Sequence, residues 1–302
     1  MKRNWLSYMC MAALFSGALT SCNESSFLNL SDPNHFTESN FWKDKADAES
    51  ALAAAYSPIK GAMYGYFGAF DGWLNLNGRG DDIFTIKGEE VPMWNIANFL
   101  NSPSTGNDPY GALYSGIQRA NIVLRYIDQV PASGITEEDR SMIKGEALFL
   151  RGYQYFLLVN NYKEVPLRLI PSNEDETNKG PASEAALWTQ VEEDLGNAIK
   201  CNLPVERTTA KERVTKGAAI AMLGKVYATQ HRYPEAKQLL GTLLKAPYSY
   251  ELIDNFGKNF TNEDEFNKES VYEIAYSPDG EYSWSNESGI CLGCYIPQLP
   301  VR

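Results

Sequence analysis

The stretch "AIAMLGKVYATQHRYPEAKQLLGTLLKAP", residues 219–247, limits the fold more than any other. Ile220-x2-Leu223-Gly224-x2-Tyr227, then Ala236-x3-Leu240, then Pro247 follow the tetratricopeptide pattern W-x2-L-G-x2-Y, A-x3-F and P, with the proline one residue early. Small residues in such a pattern let two helices approach closely, and large ones lock the outside. Gly224 and Ala236 are therefore expected to face each other across a helical hairpin. Leu148, Gly152 and Tyr155 echo the first half of the pattern in an earlier helix, whose expected partner is 183–200, across a proline-rich loop. A single hairpin cannot bury its own apolar face, so the pairs must stack on one another. The expected fold class is mainly α: tetratricopeptide-like hairpins forming an α–α superhelix, with long loops.

The rest of the body agrees. "TESNFWKDKADAESALAAAYSPI" opens on a capping residue, Thr37, runs through alanine-rich turns and is expected to stop near Pro58. Leu113, Ile117, Ala120, Leu124 and Ile127 recur every three or four residues and draw one helical face. Residues 141–162 are apolar almost all round, as in a helix buried between neighbours. Leu187, Trp188, Val191, Leu195 and Ile199 lie on one side of 183–200, with Glu192, Glu193 and Asp194 on the other. Residues 61–109 and 163–182 read as loops. Past residue 246 the helical pattern gives way, and "ESVYEIAYS" (269–277) alternates like a strand.

The N-terminus carries an address. Lys2 and Arg3 precede an uncharged, mostly apolar run from Leu6 to Leu19. That run is shorter than the roughly 20 residues a spanning helix needs, and it fits a secretory signal. It closes on Leu19-Thr20-Ser21-Cys22, which looks like a lipobox; the alternative is an ordinary signal with a chance cysteine. In the lipobox reading Cys22 is acylated, and several acyl chains together give a stable anchor. The polar stretch 22–36 would then be a tether.

Few residues invite catalysis. The chain has a net charge of −11, a poor match for nucleic acid. Once the signal, with Cys10, is removed, Cys201, Cys291 and Cys294 remain besides Cys22, an odd set without a disulfide framework. The lone Cys291-Leu-Gly-Cys294 has no second pair or histidine to complete a zinc site. His35 and His231 are the only histidines, and neither sits near a nucleophile motif. Asn75, Asn77, Asp81 and Asp82 suggest a calcium loop until Arg79, which would repel the cation. No metal, cofactor or enzymatic activity is expected, although among 38 acidic residues a glycosidase pair is not excluded by counting.

The stronger signal is aromatic. Tyr64, Tyr66, Phe67, Phe70, Trp73 and Trp94 crowd one loop region beside Asn75 and Asn77. Sugars present apolar C–H faces and polar rims, which an aromatic platform with neighbouring amides and acids can match. Trp73, in the polar, glycine-rich "DGWLNLNGRGDD", is the leading platform residue. Tyr66, Asn75 and Asn77 lie near it in sequence, and Trp284 sits in a late aromatic loop. The plainer alternative is that these rings cap the helical core.

Together the lipobox, "NFWKDKADAESALAAAY", "GEALFLRGYQYFLLVNNYKEVPL", "LWTQVEEDLGNAI", "RVTKGAAIAMLGKVYATQHRYPEA" and "KESVYEIAYS", in that order, resemble the SusD/RagB family of Bacteroidetes surface lipoproteins. The resemblance covers nearly the whole chain. It implies tetratricopeptide-like units supporting a less regular C-terminal part. It also implies a lipid-anchored outer-membrane protein facing outside, which binds a glycan or peptide and lids a TonB-dependent transporter resembling SusC. Such proteins are binders, not enzymes. The expected organisation is a signal (1–21), a tether (22–36), a helical domain (37–250) and the opening of a C-terminal region (251–302). Family members are usually longer, so a fragment, a truncated gene or a short variant is expected. The alternative function is a helical-repeat scaffold that binds only protein, or a truncated member without function.

Overall fold

The computed structural model describes residues 41–60, 80, 94–95, 97–100, 110–172 and 174–275. The chain divides into two units, Met1–Phe41 and Trp42–Arg302, and the helical stack belongs to the second.

Helix α1 is Lys45–Lys60. Its start is set by Asp44, whose carboxylate accepts from the backbone N–H of Ala46 at 2.8 Å and Asp47 at 3.1 Å, satisfying donors that the first turn leaves orphaned. Thr37, the expected cap, lies outside the described residues. The helix also runs through Pro58 rather than stopping there. Proline has no N–H for the Ala54 carbonyl, and the Arg119 guanidinium from the next helix bonds that carbonyl instead at 3.0 Å. Ala48, Leu52, Ala55 and Ile59 form its buried stripe.

That stripe packs on α2 (Tyr110–Tyr126) and α3 (Glu137–Tyr162). In α2 the expected face is present, with Leu113, Ile117, Ala120 and then Ile127 fully buried. Helix α3 is the centre of the stack. Thr136 caps it, accepting from the Asp139 N–H at 3.1 Å, and Glu137, Glu138 and Asp139 place negative charge at its positive end. Ile143, Ala147, Phe149, Leu150, Tyr155 and Leu158 bury themselves on different sides of it.

The connection out of α3 is pinned rather than loose. Pro166 pairs with Pro181 in a single antiparallel bridge. The Tyr155 hydroxyl both donates to the Arg168 carbonyl (2.8 Å) and accepts from its N–H (2.7 Å). Asn121 donates to the carbonyls of Arg168 and Ile170. After the short α4 (Glu174–Thr177), α5 (Glu184–Lys200) begins at its cap Ser183 and returns along α3. A Cβ at Gly152 would lie 3.1 Å from the Asp194 Cβ and 3.2 Å from Leu195 Cγ, so glycine there sets how closely α3 and α5 pack. This is the pairing the sequence echo implies.

The second hairpin is α6 (Lys216–Thr229) and α7 (Tyr233–Leu240), joined through His231 at φ 60°. A Cβ at Gly224 would strike Leu240 at 2.4 Å, so Gly224 receives Leu240, and Ala236 is buried in the same hairpin. Asp194 is a correction to the sequence reading. It does not join Glu192 and Glu193 at the surface but is buried, its two oxygens taking the Arg151 guanidinium at 2.8 and 2.6 Å. Another concerns 269–277: residues 269–275 form no strand, because no described segment supplies the ladder partner an alternating pattern needs. Two 3₁₀ turns, Phe256–Phe260 and Asn262–Asp264, precede that segment. No described helix is long and apolar enough to cross a membrane.

Candidate functional site

The site begins with one buried carboxylate. Glu146, on α3, is fully shielded from solvent. It accepts from Arg207 Nη2 at 2.7 Å, from Arg213 Nε and Nη2 at 3.0 and 2.9 Å, and from the Tyr56 hydroxyl at 2.5 Å. Arg213 also reaches Glu49 of α1 at 2.6 Å. Burial, reinforced by Glu146, pushes the Tyr56 hydroxyl well above its usual pKa, so it stays a donor. Burial opposes the Arg213 charge, but Glu146 and Glu49 outweigh it and raise its pKa. This network fixes residues 205–215 against the helical stack.

On that support sits a cavity of about 160 Å³. Its walls come from three segments: 205–215, 247–250 and 266–273. The Tyr248 and Tyr250 rings stack nearly parallel, with centroids 6.1 Å apart and an angle of 11° between their planes. Alternate residues of an extended segment point the same way, so "PYSYEL" presents both rings on one side. Gly217 makes room for Tyr250, since a Cβ there would lie 2.1 Å from its hydroxyl oxygen. Burial raises the pKa of both tyrosines, so both hydroxyls remain protonated at neutral pH.

The polar rim is ordered by its own bonds. The Glu273 carboxylate accepts from the Phe266 N–H at 3.0 Å. Asn267 accepts from the Glu269 N–H at 2.8 Å and donates to Asn259 at 2.9 Å. Tyr272, edge-on to Phe149 with centroids 5.4 Å apart, ties the same segment to α3. Stacked tyrosine rings among Asn267, Ser270, Lys211 and Glu206 offer apolar surface to C–H groups and several partners to hydroxyls. Pockets for drug-sized ligands run to about 300–1,000 Å³, so this one suits a single sugar ring or a chain end. No cluster among the described residues could hold a metal ion.

Sequence reasoning missed this cavity. The alternating tyrosines after the hairpin were its one local signal. Cys22, Tyr66, Trp73, Asn75, Asn77 and Trp284 lie outside the described residues, as do Cys291 and Cys294. Of the early aromatic cluster only Trp94 is described, half-buried in a helical turn whose Asn98 side chain donates to its carbonyl at 2.7 Å.

Comparison with known proteins gives these features a context. A family model for SusD-like proteins, described as "starch-binding associating with outer membrane", matches residues 82–228. A SusD-like protein of Formosa agariphila is 25% identical over 301 residues, covering 94% of this chain and 55% of the relative. A SusD superfamily protein from Bacteroides vulgatus is 31% identical with a TM-score of 0.70, covering 78% of this chain and 50% of the other. A laminarin-binding SusD-like protein is 28% identical with a TM-score of 0.72, covering 82% and 55%. The chain thus spans about half the length of the relatives it matches.

Proposed function

We propose that this chain, SusD-like in sequence and in fold, binds an oligosaccharide at the outer membrane, held by a lipid on Cys22, and passes it to a TonB-dependent transporter resembling SusC. The observation that carries the binding reading is the parallel Tyr248–Tyr250 pair in a cavity with a hydrogen-bonding rim. The glycan binding named for a relative of the same fold supports it. Trp73, with Tyr66, Asn75 and Asn77, and Trp284 are proposed as further platform and hydroxyl-binding residues, on the sequence argument alone. No catalytic role is assigned to any residue. The lipobox supports the anchor, and the outer-membrane association of the matching family supports the location.

The test is calorimetric titration of laminarin and maltohexaose, beside melting curves. Tyr248→Ala and Trp73→Ala should each weaken binding by about 1–3 kcal/mol if each ring is a well-packed anchor, while leaving the melting temperature near that of the parent. Leu187→Ala, at a fully buried position of α5, is the core control that should melt early. If Trp73→Ala melts as early as the control, that indole belongs to the core. If neither variant changes binding, the proposed site is wrong. Recovery of a TonB-dependent transporter with the tagged protein from solubilised outer membranes tests the hand-off.

A further inference from the structure

A broad groove of about 890 Å³ lies where the first half of α5 meets the end of α6. Glu184, Trp188, Glu192 and Glu193 line one side, and Tyr227, Gln230 and Arg232 the other. It shares no residue with the Tyr248–Tyr250 cavity.

The groove surface is fixed in place. The Trp188 indole donates through Nε1 to Glu184 at 3.2 Å, and its ring meets Phe156 edge-on at 6.0 Å. The Arg232 guanidinium lies 4.4 Å over the Tyr227 ring. Its Nη1 donates to both Glu192 oxygens at 2.8 and 2.9 Å, and its Nε donates to Glu235 at 3.0 Å. Gln230 Nε2 adds a third bond to Glu192 at 2.9 Å. These bonds leave Arg232 Nη2 and the Gln230 carbonyl oxygen without a partner among the described residues. An immobilised indole beside planar, oriented donors and acceptors needs little further ordering when a ligand arrives.

Charge decides what that ligand is. Glu184 is offset by Lys163 at 3.1 Å, and Glu192 by Arg232. Of the lining carboxylates only Glu193 has no cationic partner among the described residues. Arg232 is shared with Glu235 at 3.0 Å, so the groove is net negative and repels a polyacidic segment, while Glu184 and Glu192 are already held by cations. Its remaining resources are an aromatic ring and unspent hydrogen-bonding groups, which match a neutral, hydroxyl-rich ring with an apolar face.

We propose that this groove is a second carbohydrate subsite, in which a ring of a neutral oligosaccharide lies against Trp188 and its hydroxyls bond Arg232 Nη2, the Gln230 side-chain oxygen and Glu193. The proposal rests on the glycan-binding reading above. With two separate subsites on one chain, a long polysaccharide engages both and gains avidity without any new contact.

The test uses the full chain, with calorimetry of laminarin and maltohexaose and melting curves for each variant. The parent should bind two equivalents of a short oligosaccharide. Trp188→Ala should leave one and weaken polysaccharide binding about tenfold or more, whereas Tyr248→Ala should remove the other. Gln230→Ala, which alters no core contact, should weaken the groove alone, and Trp188→Phe should retain part of its binding. These two variants carry the test if Trp188→Ala unfolds. Raising the ionic strength from about 0.05 to 0.5 M should change groove affinity by less than about twofold, because no net charge is recruited. One equivalent, abolished by Tyr248→Ala and untouched by the groove variants, overturns this inference and leaves the proposed function standing. One equivalent lost only with the groove variants upholds the groove and removes the tyrosine cavity. No binding of either glycan overturns both. A tenfold or greater loss at high salt overturns the neutral-ligand assignment.

Discussion

Replacing Asp194 with alanine should be among the costliest single changes in the helical stack. Asp194 is 1% exposed and its partner Arg151 8%. Their paired bonds at 2.8 and 2.6 Å join α5 to α3, and Gln190 adds a third bond to the same carboxylate at 3.0 Å. Without Asp194 the guanidinium is left in the interior with only the Asn121 side chain (2.9 Å) and the Leu169 carbonyl (3.3 Å). Breaking a buried ion pair by removing one partner costs about 3–5 kcal/mol. The two surviving bonds place Asp194→Ala in the lower half of that range. For a protein of this size each kcal/mol lowers Tm by roughly 2–4 °C, so Tm should fall by about 6–16 °C. The assay is calorimetry on the parent, Asp194→Ala, Arg151→Leu and the double variant Arg151→Leu/Asp194→Leu. The double variant should recover at least half of the loss, because the pair's desolvation cost disappears with it. A single-variant shift below about 2 °C, or strictly additive losses in the double variant, would refute a buried, coupled pair.

Three further outcomes concern other parts of the chain. Cys22→Ala should abolish incorporation of labelled palmitate, since the acyl acceptor is gone; palmitate on the variant would refute the anchor. Ala236→Leu should overpack the α6–α7 hairpin by roughly 1–3 kcal/mol, and a variant that melts like the parent would show slack at that buried position. The Lys45 ammonium, hydrogen-bonded at 2.7 Å with a further bond from Thr136, holds the Asp139 carboxyl below its usual pKa. A depressed carboxylate contributes stability above its unfolded value of about 4, lost as pH falls through the lower folded value. Acid melts of the parent should therefore steepen below about pH 4, and Asp139→Asn should flatten that part of the curve.

Most helices were legible because each carried two agreeing signals. In α5, Ser183 marks the start while Leu187, Val191 and Leu195 mark the face, and the structure uses both. Asp194 was misread because residue type alone sends a carboxylate outward. Its partner Arg151 lies 43 residues earlier, and only the α3–α5 packing brings them together. The tetratricopeptide pattern names Gly224 and Ala236 as the small residues of one hairpin, and the structure adds that Leu240 fills the space Gly224 leaves. At 269–275 the alternation was real but had no neighbouring strand among the described residues to pair with. The tyrosine cavity showed in the sequence only as the Tyr248–Tyr250 alternation, since its three walls are apart in the chain and meet only after folding.

The buried Glu146 network explains how an irregular C-terminal segment can present an ordered surface. Loops after a helical repeat are normally the mobile part of a fold. Here Arg207 lines the cavity while donating to Glu146 on α3, and Arg213 spans from Glu146 to Glu49 on α1. Tyr56 closes the set, donating to Glu146 and accepting from the Val214 N–H at 3.0 Å. Apolar residues of similar volume would fold as stably or more so, because burying these charges costs several kcal/mol per ion. What apolar packing would not supply is direction: each bond fixes one loop atom against one helix atom. A binding surface needs its supporting groups held within about 0.5 Å of the productive geometry. On that argument the ionic network is the part of the repeat that serves the cavity, and the apolar stripes of α1, α2 and α3 are the part that holds the stack together.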